Sequence, residues 1–156
     1  MKIIKAKSKD FDRILEFFEL VEKEFVPPLS ERGSLEERIK KILFSKDGSY
    51  VIMEDERGEI IALSGFIKNY QGNKNHAYLT FFSVKPVYRK KGLGISFRKK
   101  IMKILKKDGI REVHTRTWST NKAMLKINKE MGFKVEKIVK NERGNNIDSI
   151  YLKKET

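Results

Sequence analysis

A mixed α/β fold, one sheet flanked by about four helices across residues 1–156, is predicted by three features of the sequence. Apolar residues recur with period two in some segments and at helical spacing in others, and the segments follow the order βααβββαβαββ. A strand–helix–strand–helix core with an antiparallel hairpin at its front calls for a sheet covered by helices. No repeat, low-complexity stretch or long linker divides the chain, so a single domain is expected.

Lys2–Lys7 sets Ile3, Lys5 and Lys7 against Lys2, Ile4 and Ala6, a short strand. Ser8 and Asp10 then precede Phe11, Ile14, Leu15, Phe18, Val21 and Phe25, a helical spacing closed by Pro27-Pro28. Ser34 with Glu37 forms a capping box before Leu35, Ile39, Ile42 and Leu43, a second amphipathic helix. Tyr50–Met53 and Ile60–Ile67 read as a hairpin around a turn at Asp55–Gly58. His76–Lys85 is a longer strand ending at Pro86. A helix with Phe97, Ile101, Ile104 and Leu105 inward follows Gly94 and stops at Gly109. Glu112–Trp118 is β-rich, and Thr120–Met131 is helical with Gly132 as its stop. Val135–Val139 and Ile147–Leu152 flank Glu142–Asn146 as a final hairpin.

Composition narrows the function classes. There is no cysteine, which removes disulfides, thiolate nucleophiles and Cys-ligated metals together. No apolar run approaches the ~20 residues that span a bilayer, and Met1–Arg13 lacks an apolar signal core, so a cytoplasmic location is expected. A net charge of +14 favours anionic partners. No zinc-finger, RNP or basic-zipper pattern accompanies it, so nucleic acid is admissible but not favoured beside a lysine-coated, solvated surface.

Val84–Ile95 is the informative segment. A strand ends, Pro86 prevents its continuation, and a loop bearing Gly92 and Gly94 feeds straight into a helix. Glycines let backbone approach a ligand closely, and a helix N-terminus presents unpaired N–H groups and a positive dipole. Arg89, Lys90 and Lys91 add charge at the same place. Alone, a Gly-x-Gly pair is an ordinary turn; in this strand–Pro–Arg–helix context it reads as a pyrophosphate cradle. It is neither a P-loop, which needs Gly-Lys-Ser/Thr, nor a three-glycine dinucleotide fingerprint.

Arg89-Lys90-Lys91-Gly92-Leu93-Gly94 resembles the Arg/Gln-x-x-Gly-x-Gly/Ala motif of the GNAT superfamily of N-acetyltransferases. Phe82-Ser83-Val84 looks like that family's fourth strand, and Asn121-Lys-Ala-Met124 through Gly132-Phe133 is similar to its later helix and strand. The element order matches as well. The resemblance implies that acetyl-CoA is co-substrate, with its pyrophosphate on the N–H groups of Lys90, Lys91, Gly92, Leu93, Gly94 and Ile95. Phe82 and Val84 would pair with the pantetheine, in a splayed gap beside the fourth strand. Asn121 would touch the cofactor arm, or else satisfy its own helix terminus.

Asn128 shares a stripe with Met124, Ile127 and Met131. In many relatives a tyrosine here reprotonates the coenzyme thiolate; an asparagine amide can only donate a hydrogen bond to sulfur. The competing reading is a core asparagine bonded to backbone. The familiar carboxylate positions of the family hold Tyr78, Leu79, Thr80 and Phe81 in one strand and Arg116 in the next. A water relay, Tyr78 or a glutamate of the first helices is left to take the amine's proton. His76 and His114 are read as lone strand histidines, with no metal site.

The leading function is acetyl transfer from acetyl-CoA to an amine, on a small molecule or a protein. The alternatives are a module that binds acyl-CoA without turnover and a nucleic-acid binder; the chain does not say whether it forms a homodimer. Residues 16–37 carry seven glutamates against Lys23 and Arg32. In relatives this segment walls the acceptor site, so a cationic amine held by Glu24 and Glu31 is expected.

Overall fold

The computed structural model describes residues 1–156. In chain order they form β1 (Lys2–Lys5), α1 (Phe11–Val21), α2 (Leu35–Leu43), β2 (Gly48–Glu54), β3 (Ile60–Tyr70), β4 (Asn73–Val84), α3 (Leu93–Lys107), β5 (Glu112–Trp118), α4 (Lys122–Glu130), β6 (Lys134–Gly144) and β7 (Ile147–Glu155). The seven strands make one sheet in the order β1-β2-β3-β4-β5-β7-β6. Only β4 and β5 are parallel; every other pair is antiparallel. The expected mixed sheet with four helices is what the chain builds.

Strand alternation decides which helices cover which face. Tyr50, Ile52 and Leu63 point to one side, where Ile14, Phe17, Phe18 and Val21 of α1 and Ile39 and Ile42 of α2 cover them. Val51, Met53 and Ile61 point to the other, under Phe97, Ile101, Met102 and Leu105 of α3. The chain is therefore three layers, with a core on each face of the sheet.

Three local expectations change. β3 and β4 run on to a two-residue turn at Gln71-Gly72, both with positive φ (53° and 77°), as a tight hairpin requires. Its polar flanks lack the Asn-Gly or Asp-Gly signature, so the residues alone hide it. Only half of the capping box forms: Ser34 Oγ accepts from the Glu37 N–H at 3.2 Å, while the Glu37 side chain faces the cleft described below. The last hairpin is longer than its apolar runs, because backbone pairing with β7 carries the polar end of β6 along as far as Gly144.

One topological detail positions the site. β4 and β5 pair only through His76–Glu112, Ala77–Val113 and Tyr78–His114. Beyond that point each strand keeps an outer partner, β3 for β4 and β7 for β5, as far as Val84 and Trp118. The sheet thus splits down its middle without unravelling. Thr80 is the extra residue of a bulge in β4, since Gly65 pairs with Phe81 and Phe66 with Leu79. No helix is long and apolar enough to cross a membrane.

Candidate active site

The split opens into a cleft of about 1370 Å³ lined by β4 from Tyr78 to Val84 and by β5 from Thr115 to Trp118. The start of α3 closes one end, and the segment between α1 and α2 walls the other.

At the α3 end, Gly92 is the N-cap residue, in a left-handed conformation (φ 77°) with no side-chain cap. The N–H groups of Lys90, Lys91, Gly92, Leu93, Gly94 and Ile95 make no hydrogen bond within the protein. Six consecutive free donors at the positive end of a 15-residue helix suit a pyrophosphate. A Cβ built on Gly92 meets nothing within 4 Å, so the left-handed φ rather than crowding is what calls for glycine there. Gly94 serves a different purpose from the expected close approach to phosphate: its Cβ would lie 3.1 Å from Ile127 Cδ1, so it lets α3 and α4 pack.

Phe82, Ser83, Val84, Arg89, Lys90, Gly92, Gly94, Ile95 and Asn121 all line the cleft. Lys91 and Leu93 do not: Lys91 Nζ lies 5.7 Å from the Tyr88 ring centre, and Leu93 packs on the core. The Arg89 side chain is not free for phosphate. Its Nε donates to the Val84 carbonyl (2.8 Å) and its two terminal nitrogens fork onto Glu24 (2.8 and 2.6 Å). Asn121 caps α4 by accepting from the Met124 N–H at 3.4 Å and donates to Thr117 Oγ1 at 3.1 Å.

Asn128 corrects the expectation of a sulfur-facing amide. It is 1% exposed, and its Oδ1 accepts from an Arg98 terminal nitrogen at 2.9 Å. Arg98 is the residue sequence reasoning missed. It is also 1% exposed, lines the cleft, and has no carboxylate partner. Phe82 and Phe133 flank its guanidinium at 5.0 and 5.4 Å, while its Nε and Nη1, and Asn128 Nδ2, lack any partner. Burial pushes the Arg98 pKa down to about 9, which still leaves it charged at neutral pH. The signal was present: Arg98 falls at i, i+3, i+4 and i+7 with Ile101, Met102 and Leu105, a cation on an apolar stripe.

Tyr78 does face the cleft, but burial pushes its pKa up to about 12. At neutral pH it holds its proton and can donate a hydrogen bond, not act as a base.

The acceptor end reverses the expected charge. Glu24 is taken by Arg89, Glu31 is exposed and does not line the cleft, and Glu22 turns inward to accept from Ser30 N–H and Oγ (3.1 and 2.9 Å). In their place stand Arg32, Arg38, Arg116 and Arg143. Outside the cleft, His76 and His114 are not the isolated pair expected. Parallel pairing sets them beside Glu112, with Nδ1 of His76, Nε2 of His114 and Oε2 of Glu112 separated by 3.0–3.3 Å. The premise on which a metal was excluded, two lone histidines, does not hold.

A profile of the acetyltransferase (GNAT) domain matches residues 3–150. Among curated proteins nothing matches. Solved structures with the same fold include a candidate phosphinothricin N-acetyltransferase (20% identity, TM-score 0.83, 99% of this chain and 97% of that one). A GNAT-family acetyltransferase from Streptococcus pneumoniae is similar at 20% identity and TM-score 0.81, over 99% of each chain. The Escherichia coli ribosomal-protein-S18-alanine N-acetyltransferase follows at 17% identity and TM-score 0.79, over 99% of this chain and 92% of that one. With its split parallel pair, its glycine-capped α3 and a domain match over nearly its whole length, the chain belongs to the GNAT acetyltransferase family.

Proposed function

We propose that the protein transfers an acetyl group from acetyl-CoA to a primary amine. The observation that carries this reading is the row of six unbonded N–H groups from Lys90 to Ile95, at the end of a cleft that four of those residues line. The pyrophosphate would rest on those groups, and the pantetheine arm would lie along Phe82–Val84 as a strand lies along its neighbour. Acetyl-CoA supplies the activated thioester. The amine nitrogen bonds the acetyl carbon as the C–S bond breaks; the nitrogen loses a proton and the sulfur leaves as thiolate or thiol.

With Asn128 turned away, Arg98 would supply a fixed positive charge beside the arm that favours the leaving thiolate, its Nε and Nη1 being buried without a partner in the protein. Of the cleft's carboxylates Glu24 is held by Arg89, while Glu37 and Glu130 are exposed, and the cationic wall favours an amine in its neutral form. Positioning of the two substrates therefore carries most of the rate.

Thermal shift and thiol release test this together. At a hundredfold excess over Kd, acetyl-CoA should stabilise by about 2.7 kcal/mol, roughly 5–10 °C for a chain of this size. Gly92→Val, which puts a β-branched residue at a left-handed φ and so distorts the cradle, should abolish the shift. An equal shift in that variant removes the cradle. A normal shift without thiol release over a broad amine panel points instead to a module that binds acyl-CoA without turnover.

A further inference from the structure

The acceptor end of the cleft holds four arginines, with Glu37 on α2 the acid beside them. None of Arg32, Arg38, Arg116 and Arg143 forms an ion pair with a carboxylate. Elsewhere Arg13 is bonded to Asp10 and Glu54, and Arg89 to Glu24. Their hydrogen bonds aim them without neutralising them. Arg32 donates to the Val26 and Pro27 carbonyls at 2.9–3.3 Å. Arg143 donates to the Val26 carbonyl at 2.9 Å and to Ser149 Oγ at 2.7 Å, and lies 5.5 Å from the Trp118 ring centre. Arg116 reaches only Tyr151 Oη, at 3.4 Å.

Two of them feel the others' charge, whereas Arg116, though partly desolvated, is raised by Tyr78, Tyr151 and Glu142. The Arg32 pKa is lowered to about 10, first by burial and then by Arg143, Arg38 and Arg116. Arg143 is lowered by burial and by Arg116. Glu142, whose charge reaches Arg116 and Arg143, is exposed and already accepts from Tyr151 Oη at 2.7 Å. The cleft's remaining acids are Glu24, bound by Arg89, with Glu37 and Glu130. Arg32 and Arg143, held by carbonyls and partly buried, with the more exposed Arg116 over the Tyr151 ring beside them, form a receptor for an anion. Solvated surface arginines would spread apart.

We propose that the acceptor is a small amine that also bears a carboxylate or a phosphonate, and that Arg32, Arg116 and Arg143 clamp this anion while the amine faces the thioester. The proposal rests on the acetyl-transfer reading above and names its substrate class. It replaces the cationic acceptor that the glutamate-rich segment suggested.

The experiment compares free amino acids and aminoalkylphosphonates with the methyl esters and amides of those amino acids, and with spermidine. Acetylation and thermal shift are both measured, the latter in the presence of coenzyme A. The best acid should exceed its own methyl ester by at least tenfold in kcat/KM, and should raise Tm where the ester does not. Arg116→Gln, which gives up the 3.4 Å contact with Tyr151 Oη and the place over that ring, should remove that preference and the acid's Tm shift, while the acetyl-CoA shift reports that the variant is folded. Preference for an acid over its phosphonate analogue, or the reverse, identifies the anion. If esters or spermidine are the better substrates, or if no acid shifts Tm, the proposal is overturned. If acids shift Tm in an Arg116-dependent way but no amine is acetylated, the anion site stands and the transfer reading falls.

Discussion

Arg98 is a buried cation with one neutral hydrogen-bond partner, two aromatic faces and two nitrogens without a partner. Removing an ion from water costs several kcal/mol, and an asparagine dipole with two rings, each worth up to about 2, offsets only part of that. An unliganded protein that tolerates such a group is less stable than its apolar counterpart would be. Replacing Arg98 alone would orphan Asn128, so the informative variant is Arg98→Met with Asn128→Leu. Its unliganded Tm should rise, by an amount corresponding to roughly 1–4 kcal/mol, while turnover falls at least tenfold and the acetyl-CoA shift shrinks. A lower Tm with unchanged turnover would make the pair a structural device. Residue identity made parts of this legible in advance: Asn121 and Asn128 each stood out as polar groups in need of a partner. Which partner each finds depends on the approach of α3 to α4, a long-range fact that spacing along one helix does not encode. The same holds for Glu24, whose fork onto Arg89 joins residues 65 positions apart.

At the scale of elements, α3 and α4 meet at Gly94 and Ile127. A Cβ at 3.1 Å from a flexible methyl forces a small displacement, and overpacking of this kind costs about 1 kcal/mol, at the low end of its range. Gly94→Ala should therefore lower Tm by roughly 2–4 °C and weaken acetyl-CoA binding severalfold by tilting the cradle. Trimming the obstructing atom with Ile127→Val in the same chain should restore both. Gly92→Ala should also weaken binding, through its left-handed φ, but Ile127→Val should give no rescue there. Rescue of both glycine variants, or of neither, would show that the two positions do not differ as described. Element order and most boundaries were readable because each amphipathic stretch buries its own stripe. The polar ends of β3, β4 and β6 were not, since pairing with a neighbour rather than burial holds them in the sheet. Pairing is a property of two segments at once.

Across the whole molecule, a charge of +14 surrounds both ends of the cleft. α3 alone exposes Lys99, Lys100, Lys103, Lys106 and Lys107 beyond its phosphate-facing start. Such a field gathers anions over distances set by the Debye length, about 10 Å at 0.1 M salt and about 3 Å at 1 M. The cradle's hydrogen bonds act at contact and are screened far less. The two contributions to coenzyme affinity therefore separate with salt. Between 0.1 and 1 M sodium chloride, the KM for acetyl-CoA should rise roughly tenfold, as expected for steering of an anion by a field of this sign, while kcat changes little. An acetyl-CoA shift in Tm should persist at the high-salt limit in the native chain and be absent there in Gly92→Val. A neutral amine ester, which the field neither attracts nor repels as a neutral species, should keep a constant KM over the same range and serves as the internal control. A flat KM for acetyl-CoA would mean that the lysine coat does no more than keep the protein apart from its neighbours in solution. The cradle and the arginine clamp would then carry the recognition of both substrates unaided.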